Sequence, residues 1–547
     1  LKNKNILLKE EKLVHSYPHC WRCKSPIVFR ATKQIFMSVD RLNLRQRLIE
    51  AVDNVDWIPQ AGLQRIRGML QTRPDWCLSR QRCWGVAIPS LKCSSCKKSI
   101  LDKDFVINVA NEVAKHGADA WFKEDYKKFL PDNFKCCYCG GAEFEKEYDI
   151  IDVWFESGVS HQAVLNEDYS LSYPADLYLE GSDQHRGWFQ TSLITGIAIK
   201  GSPPYKSVLT HGFVVDGEGR KMSKSLGNVI SPLKVIDKYG ADVLRLWAIS
   251  RDFTQDLRIS DQILSQVVEA YRKIRNTFRF LLSNIYDFNP AVDSINYSEM
   301  DVIDKWIYNE LAVLSQQVKV MYREYQFNQI FKKVYVFMNE TLSSLYLDIL
   351  KDRMYTFDSN DKKRRSSQSA IYYLVSNLAK LAAPIIPFTA EDVWENLAFK
   401  NESDSVFESI HEADLGDIKV EPGGDEILRD FGLLQDLRSL VMKAIEDERS
   451  NGSLGSSLEA EVYLKIRLDK RYKFLDNYKA ILATLFVVSK VEIEKVNSLD
   501  GDCSSMSSAD DIKILVKKSP GTKCARCWNY TADVGNNENF KDLCLRC

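Results

Sequence analysis

From about residue 261 to 381, apolar residues recur at i, i+3 and i+4, and glycine is almost absent. The pattern runs through Ile263–Asn284, Asp301–Tyr325, Phe327–Asp352 and Ser366–Leu381. Stripes of this kind can be buried only against other helices, so this stretch is predicted to form an α-helical bundle of long elements. Residues 151–260 read differently. Apolar runs at Leu177–Leu179 and Ser207–Thr210 suit buried strands, and Gly187–Ile199 and Ala241–Ser250 suit helices, which makes this part α/β. Residues 1–75 mix loops with short strands at Ile27–Phe29 and Ile35–Val39, and a helical stretch is expected near Val106–Phe129. Beyond the bundle, residues 421–424 (Glu-Pro-Gly-Gly) read as a linker. A helix near Glu426–Asn451 and strands at Val462–Ile466 and Asp511–Val516 follow.

At 547 residues the chain can hold three or more domains. With 45% hydrophobic and 27% charged residues it is not a disordered protein. The net charge of −1 means that a nucleic-acid surface must come from local basic patches. Candidates are Arg272, Lys273, Arg275 and Arg279, then Lys351 and Arg353, then Lys362–Arg365. No apolar run reaches the roughly 20 residues of a membrane-spanning helix. The chain starts at Leu1, and Leu1–Val14 reads as mid-chain sequence, so a fragment lacking its N-terminal part is expected.

Lys221-Met222-Ser223-Lys224-Ser225 lies between Gly217-Glu218-Gly219-Arg220 and Leu226-Gly227-Asn228. Two ammonium groups and two hydroxyls on a glycine-flanked loop make a clamp for phosphates. Upstream, an apolar strand runs into Glu180-Gly181-Ser182-Asp183-Gln184-His185-Arg186-Gly187-Trp188. The carboxyl end of a strand is where open α/β sheets bind ligands.

Fourteen cysteines, mostly in closely spaced pairs and without an export signal, point to metal sites in a reducing cytoplasm rather than to disulfides. Cys524, Cys527, Cys544 and Cys547 form two CxxC pairs with the spacing of a tetrahedral structural zinc site. Trp528 and Tyr530 are expected to pack on that knuckle, with Lys523, Arg526 and Arg546 free for RNA phosphates. Cys93 and Cys96 with Cys137 and Cys139 form a second candidate, and Cys136 is an alternative because Cys136–Cys139 is the true CxxC. Cys20 and Cys23 make half a site.

Together with Thr72-Arg73-Pro74-Asp75-Trp76 and Asp152-Val153-Trp154-Phe155-Glu156-Ser157-Gly158, these motifs resemble the isoleucine branch of the class I aminoacyl-tRNA synthetases over essentially the whole chain. The resemblance implies an incomplete Rossmann-type α/β catalytic domain with insertions, a helical anticodon-binding bundle, a small α/β region and a terminal zinc ribbon. Residues 1–45 would be the end of an editing insertion. Residues 46–260 would be the second part of the catalytic domain, with a zinc-binding insertion at about 85–150 and the KMSKS loop at 221–225. The anticodon domain would span 261–420, the junction region 421–520 and the ribbon 521–547.

The implied reaction joins L-isoleucine to isoleucine tRNA through an adenylate. It uses ATP with Mg2+, and editing of valine is expected of the full-length protein. Lys221 and Lys224, with Ser223 and Ser225, would hold the leaving phosphates. Glu180, Gly181, Asp183, Gln184, His211 and Lys224 would hold the nucleotide and adenylate, and Glu180 and Trp188 the amino acid. The family pattern favours Cys137 and Cys139 as ligands. The resemblance further implies Zn2+, no membrane partner, a monomer and a cytoplasmic location. The valine enzyme and a non-catalytic tRNA-binding remnant are the alternatives. The family's His-x-Gly-His motif does not occur among the seven histidines, so these residues alone are expected not to activate isoleucine.

Overall fold

The computed structural model describes residues 2–20, 23–397, 407–499, 507–509 and 511–547, and the chain divides into two compact units, 1–211 and 212–547. The first unit is built on a parallel sheet in which Tyr205–His211 lies between Asp56–Ile58 and Ala175–Gly181. Parallel strands need a covered face. Trp188–Ile199 supplies it, with Phe189, Leu193 and Ile194 fully buried against Trp57, Ile66 and Val208. A three-stranded antiparallel sheet (Ser99–Ile100, Leu91–Cys93, Phe144–Lys146) carries its own small core of Phe105, Trp121, Phe129 and Phe144. The helix Lys103–His116 starts there on Asp102, whose side chain accepts the Phe105 amide.

The predicted strand at Ile27–Phe29 does not form. Val28 and Phe29 are exposed, and among the described residues no strand pairs with them. At 35–39 only Phe36–Met37 pairs, with Trp76–Cys77.

The second unit opens with Val214–Asp216, paired in parallel with Leu257–Ile259. Between these strands lie the 217–230 loop and the helices Pro232–Tyr239 and Ala241–Ile249. This segment shares one core with the bundle rather than with the 175–211 strands. Val235, Val243, Leu246, Trp247 and Ile259 pack with Ile274, Phe278 and Leu281. Asp242 accepts the Thr389 amide and hydroxyl, and Arg245 donates to the Pro384 and Ile385 carbonyls. The compact units therefore part at 211/212, within the stretch 46–260 expected as the second part of the catalytic domain.

The bundle contains Asp261–Ser283, Val302–Arg323, Phe327–Val336, Lys362–Ala382 and Pro387–Glu395. The predicted Phe327–Asp352 helix changes register within itself. Phe337–Tyr346 is π-helical, and the Ser343 and Ser344 hydroxyls donate to carbonyls five residues back. Arg353, read from the sequence as a basic surface point, is buried. It pairs with Asp301 and Asp304, and Tyr346, Ser366 and Ser367 also donate to Asp304. Arg364 likewise turns inward and makes two hydrogen bonds to Asp287, at 2.8 and 3.1 Å. A buried guanidinium needs its carboxylate, so neither is available to RNA.

The helix Gly424–Ser450 leads to a mixed sheet in the order Lys490–Lys495, Ala460–Ile466, Ile512–Lys518, Ser507–Ala509. Residues 522–547 close the chain as a cysteine-bearing ribbon.

Candidate functional site

In the first unit, the strand ends bring together most of the expected ligand-binding residues. His211 stands opposite Gly181, and Thr210 opposite Glu180, in the parallel register. Glu180 and Asp183 are exposed at the carboxyl edge, and Gly181 is buried. Gln184 is anchored within the turn. Its Oε1 accepts the Trp188 amide at 3.0 Å and its Nε2 donates to Asp183 at 3.2 Å, which fixes the turn into the helix. A Cβ on Gly187 would meet Gln184 Oε1 at 2.5 Å and the Trp154 ring at 2.8 Å, so glycine is required by close approach.

Trp188 stacks on Tyr178 at 4.0 Å between centroids, and its Nε1 donates to the Ser157 carbonyl at 3.0 Å. Through that bond it braces the 152–158 segment. His185 is buried and stacks on Trp57 at 5.7 Å, and its Nδ1 meets the Ser182 carbonyl at 2.9 Å. Burial holds its pKa below the usual imidazole value, which keeps it neutral as a turn anchor.

The 221–225 loop belongs to the second unit. Lys221 and Lys224 are exposed, and neither makes an ion pair among the described residues. The loop is nevertheless ordered from beneath by one carboxylate. Asp216 accepts the Glu218 amide (3.0 Å), the Arg220 amide (2.8 Å), Arg220 Nε (2.9 Å) and Asn228 Nδ2 (2.9 Å). These bonds, from the Asn228 amide above all, hold its pKa far below the carboxylate range. Asn228 Oδ1 in turn accepts the Ser223 amide, Ser223 Oγ caps the 224–226 turn, and Gly227 leaves it with φ 66°. The arrangement is a hydrogen-bonded rim carrying two exposed ammonium groups. The sequence had singled out the cations and not Asp216, whose only sequence signal is an acid at the start of a glycine-rich turn.

Two groups of four thiols form, each with its sulfurs within 4.8 Å of one another: Cys93, Cys96, Cys136, Cys139 and Cys524, Cys527, Cys544, Cys547. Tetrahedral zinc with Zn–S near 2.3 Å places sulfurs about 3.8 Å apart. Cys93–Cys139 and Cys96–Cys136 are both 3.6 Å apart, and Cys527–Cys544 is 3.8 Å, so both groups fit zinc.

Cys137, expected as a ligand, is exposed and lies outside the cluster; Cys136 takes its place. The reason is the knuckle turn. In three of the four CxxC pairs of these two groups the amide four residues after the first cysteine donates to that cysteine's carbonyl: Lys97 to Cys93, Gly140 to Cys136 and Trp528 to Cys524. The donor residue has positive φ each time (58°, 74°, 66°). A turn started at Cys137 would not end on Cys139. Lys24 and Cys20 make the same turn at φ 60°, with no further thiol gathered on Cys20 and Cys23 among the described residues.

The knuckle amides also tune the sulfurs. The Cys96 amide above all holds the Cys93 thiol down to about 6. Burial pushes Cys524 up, but the amides of Cys527, Cys544 and Arg526 outweigh it and bring that thiol to about 6. Trp528 is 59% exposed with the Lys523 ammonium over its ring, so it does not pack on the knuckle as expected. Tyr530 instead donates its amide to Ser489, and Arg546 is paired with Asp352 rather than free for phosphate.

Comparison with known proteins matches these pieces in order. Residues 3–260 match the family "tRNA synthetases class I (I, L, M and V)", 304–464 the "Anticodon-binding domain of tRNA ligase", and 521–547 the "Zinc finger found in FPG and IleRS". The chain therefore carries a class I tRNA synthetase domain followed by an anticodon-binding domain of tRNA ligases. Its similar relatives are isoleucine–tRNA ligases. That of Caldanaerobacter subterraneus subsp. tengcongensis is 47% identical over 548 residues, covering 100% of this chain and 58% of that protein. That of Thermotoga maritima is 43% identical over 547 residues, again 100% and 58%. The chain thus spans about 58% of the length of the curated relatives it matches. Among solved structures, Mycobacterium tuberculosis methionyl-tRNA synthetase in complex with methionyl-adenylate shares the fold, with TM-score 0.52 at 16% identity, covering 72% of this chain and 69% of that one. No helix among the described residues is long and apolar enough to cross a membrane.

Proposed function

We propose that this chain is the larger part of an isoleucine–tRNA ligase that forms isoleucyl-adenylate from ATP and transfers the acyl group to isoleucine tRNA. In the first step the isoleucine carboxylate attacks the α-phosphorus and pyrophosphate leaves; in the second a terminal ribose hydroxyl of the tRNA displaces AMP. Such chemistry asks for positioning and charge neutralisation. The observation that carries the reading is the 221–225 loop, whose two ammonium groups stay unpaired on a rim held by Asp216 and Asn228. Lys221 and Lys224 meet the departing phosphates, with Mg2+ sharing the charge. Glu180, Gly181, Asp183, Gln184 and His211 hold the adenylate at the strand ends, and Glu180 and Trp188 hold the isoleucine.

The bundle takes the anticodon arm through the outward cations of Asp261–Ser283, namely Arg272, Lys273, Arg275 and Arg279, which are exposed. The two cysteine clusters hold structural zinc. The protein works in the cytoplasm as a monomer and, at full length, edits valine. These 547 residues, which carry no His-x-Gly-His motif, do not activate isoleucine alone.

The test is amino-acid-dependent ATP–pyrophosphate exchange by the intact protein with isoleucine, valine and leucine. Isoleucine should be activated best. Equal or better activation of valine would refute the assignment, and exchange by the 547 residues alone would refute their inactivity.

A further inference from the structure

The ribbon's second knuckle is tied to the helical bundle by one side chain. Arg546 stands between Cys544 and Cys547, and its guanidinium makes two parallel hydrogen bonds to Asp352, Nη1 to Oδ2 at 2.7 Å and Nη2 to Oδ1 at 2.8 Å. The same guanidinium lies 5.1 Å from the centroid of the Phe357 ring. Asp352 is itself held, because Oδ1 also accepts the Thr356 hydroxyl at 2.9 Å.

We infer that Asp352 and Phe357 are outer-shell residues of the terminal zinc site. By fixing Arg546 they fix the knuckle that presents Cys544 and Cys547, so metal binding and docking of that knuckle on the bundle are one coupled equilibrium. Four thiolates around Zn2+ leave a net charge of −2, and a cation locked between the third and fourth ligands offsets it. The other charged groups nearby do not replace it. Lys523 is engaged over Trp528, Arg526 donates to the Cys547 carbonyl at 3.4 Å, and Asp533 accepts the Leu545 amide. The first knuckle has a separate anchor in Tyr530, bonded to Ser489 and Glu459, so loss of the Asp352 contact loosens the second knuckle without releasing the ribbon. Coupling of this kind is reciprocal: docking strengthens zinc binding by the same factor by which zinc strengthens docking.

The inference rests on the cluster being a zinc site, and the experiment separates the two. Hydrogen–deuterium exchange of the whole chain is followed across buffered free-zinc concentrations. Peptides from 521–547 report the terminal site, and peptides from 91–144 report the other cluster as an internal reference. Asp352→Asn keeps the helix and loses the ion pair; Arg546→Met keeps the packing on Phe357 and loses the charge. Each should raise the free zinc needed to protect 521–547 by roughly 10- to 100-fold, with the reference midpoint unmoved and the double variant no worse than the product of the two. An unmoved 521–547 midpoint, or an equal shift of both clusters, overturns the coupling. Absence of any zinc-dependent protection of 521–547 in the unaltered chain would instead overturn the zinc reading beneath it.

Discussion

Asn228 donates from Nδ2 to Asp216 Oδ2 at 2.9 Å while its Oδ1 accepts the Ser223 amide at 2.9 Å. One side chain therefore joins the buried end of a strand to the middle of the cationic loop. Removing it frees both bonds. Asn228→Ala should leave the fold intact and expose the loop, raising the rate of tryptic cleavage after Arg220, Lys221 and Lys224 several-fold, whereas Lys234→Ala, outside the loop, should not change that rate. Unchanged cleavage at these three sites would mean that the pair does not order the loop.

The pH dependence of the same contact follows from the depressed pKa of Asp216. A carboxyl whose folded pKa lies below its unfolded value contributes stability above the unfolded value, about 4. That contribution is lost as pH falls through the lower folded value. Loop protection should be flat from about pH 5 upward and fall only in strong acid. Asp216→Asn should remove this acid-dependent step, as read by amide protection of 217–228.

His161 gives a test of the same sign in a milder pH window. It is 2% exposed, bonded to Thr195 Oγ1 at 3.0 Å, and burial, with Lys200 nearby, lowers its pKa to about 4. The native state thus binds fewer protons than the unfolded chain between about 6.5 and about 4, and stability must fall as pH drops through that window. Urea unfolding of the first unit should show this slope, and His161→Gln should flatten it. A slope unaffected by the substitution would assign it to other groups.

Much of this was legible beforehand because helical periodicity and motif order are local properties. The 261–283, 302–323 and 362–382 helices fall within a few residues of the apolar stripes. The unit boundary at 211/212 was not legible, because it depends on which core Val235, Leu246 and Trp247 join. Nor was the inward turn of Arg353 and Arg364, since a cation looks the same in sequence whether its carboxylate lies 49 or 77 residues away or nowhere. Cys136 takes the ligand position because the four-residue turn that closes on Cys139 starts there, a geometry that the Cys-x-Cys spacing of Cys137 and Cys139 does not carry.

That correction is directly checkable. The zinc-loaded chain should hold two zinc ions, one for each group of four thiols. Cys136→Ser should lose one of them, and Cys137→Ser should keep both. Metal content measured on the two purified variants decides it, and the reverse pattern would restore Cys137 as the ligand.

The most direct test of the account concerns Lys224 in the intact protein. If the rim stabilises phosphates as they depart, Lys224→Gln should slow isoleucine-dependent ATP–pyrophosphate exchange by roughly 10²- to 10³-fold, with the KM for isoleucine changed only a few-fold. A variant that exchanges at the unaltered rate, or that loses isoleucine binding instead of rate, would contradict it.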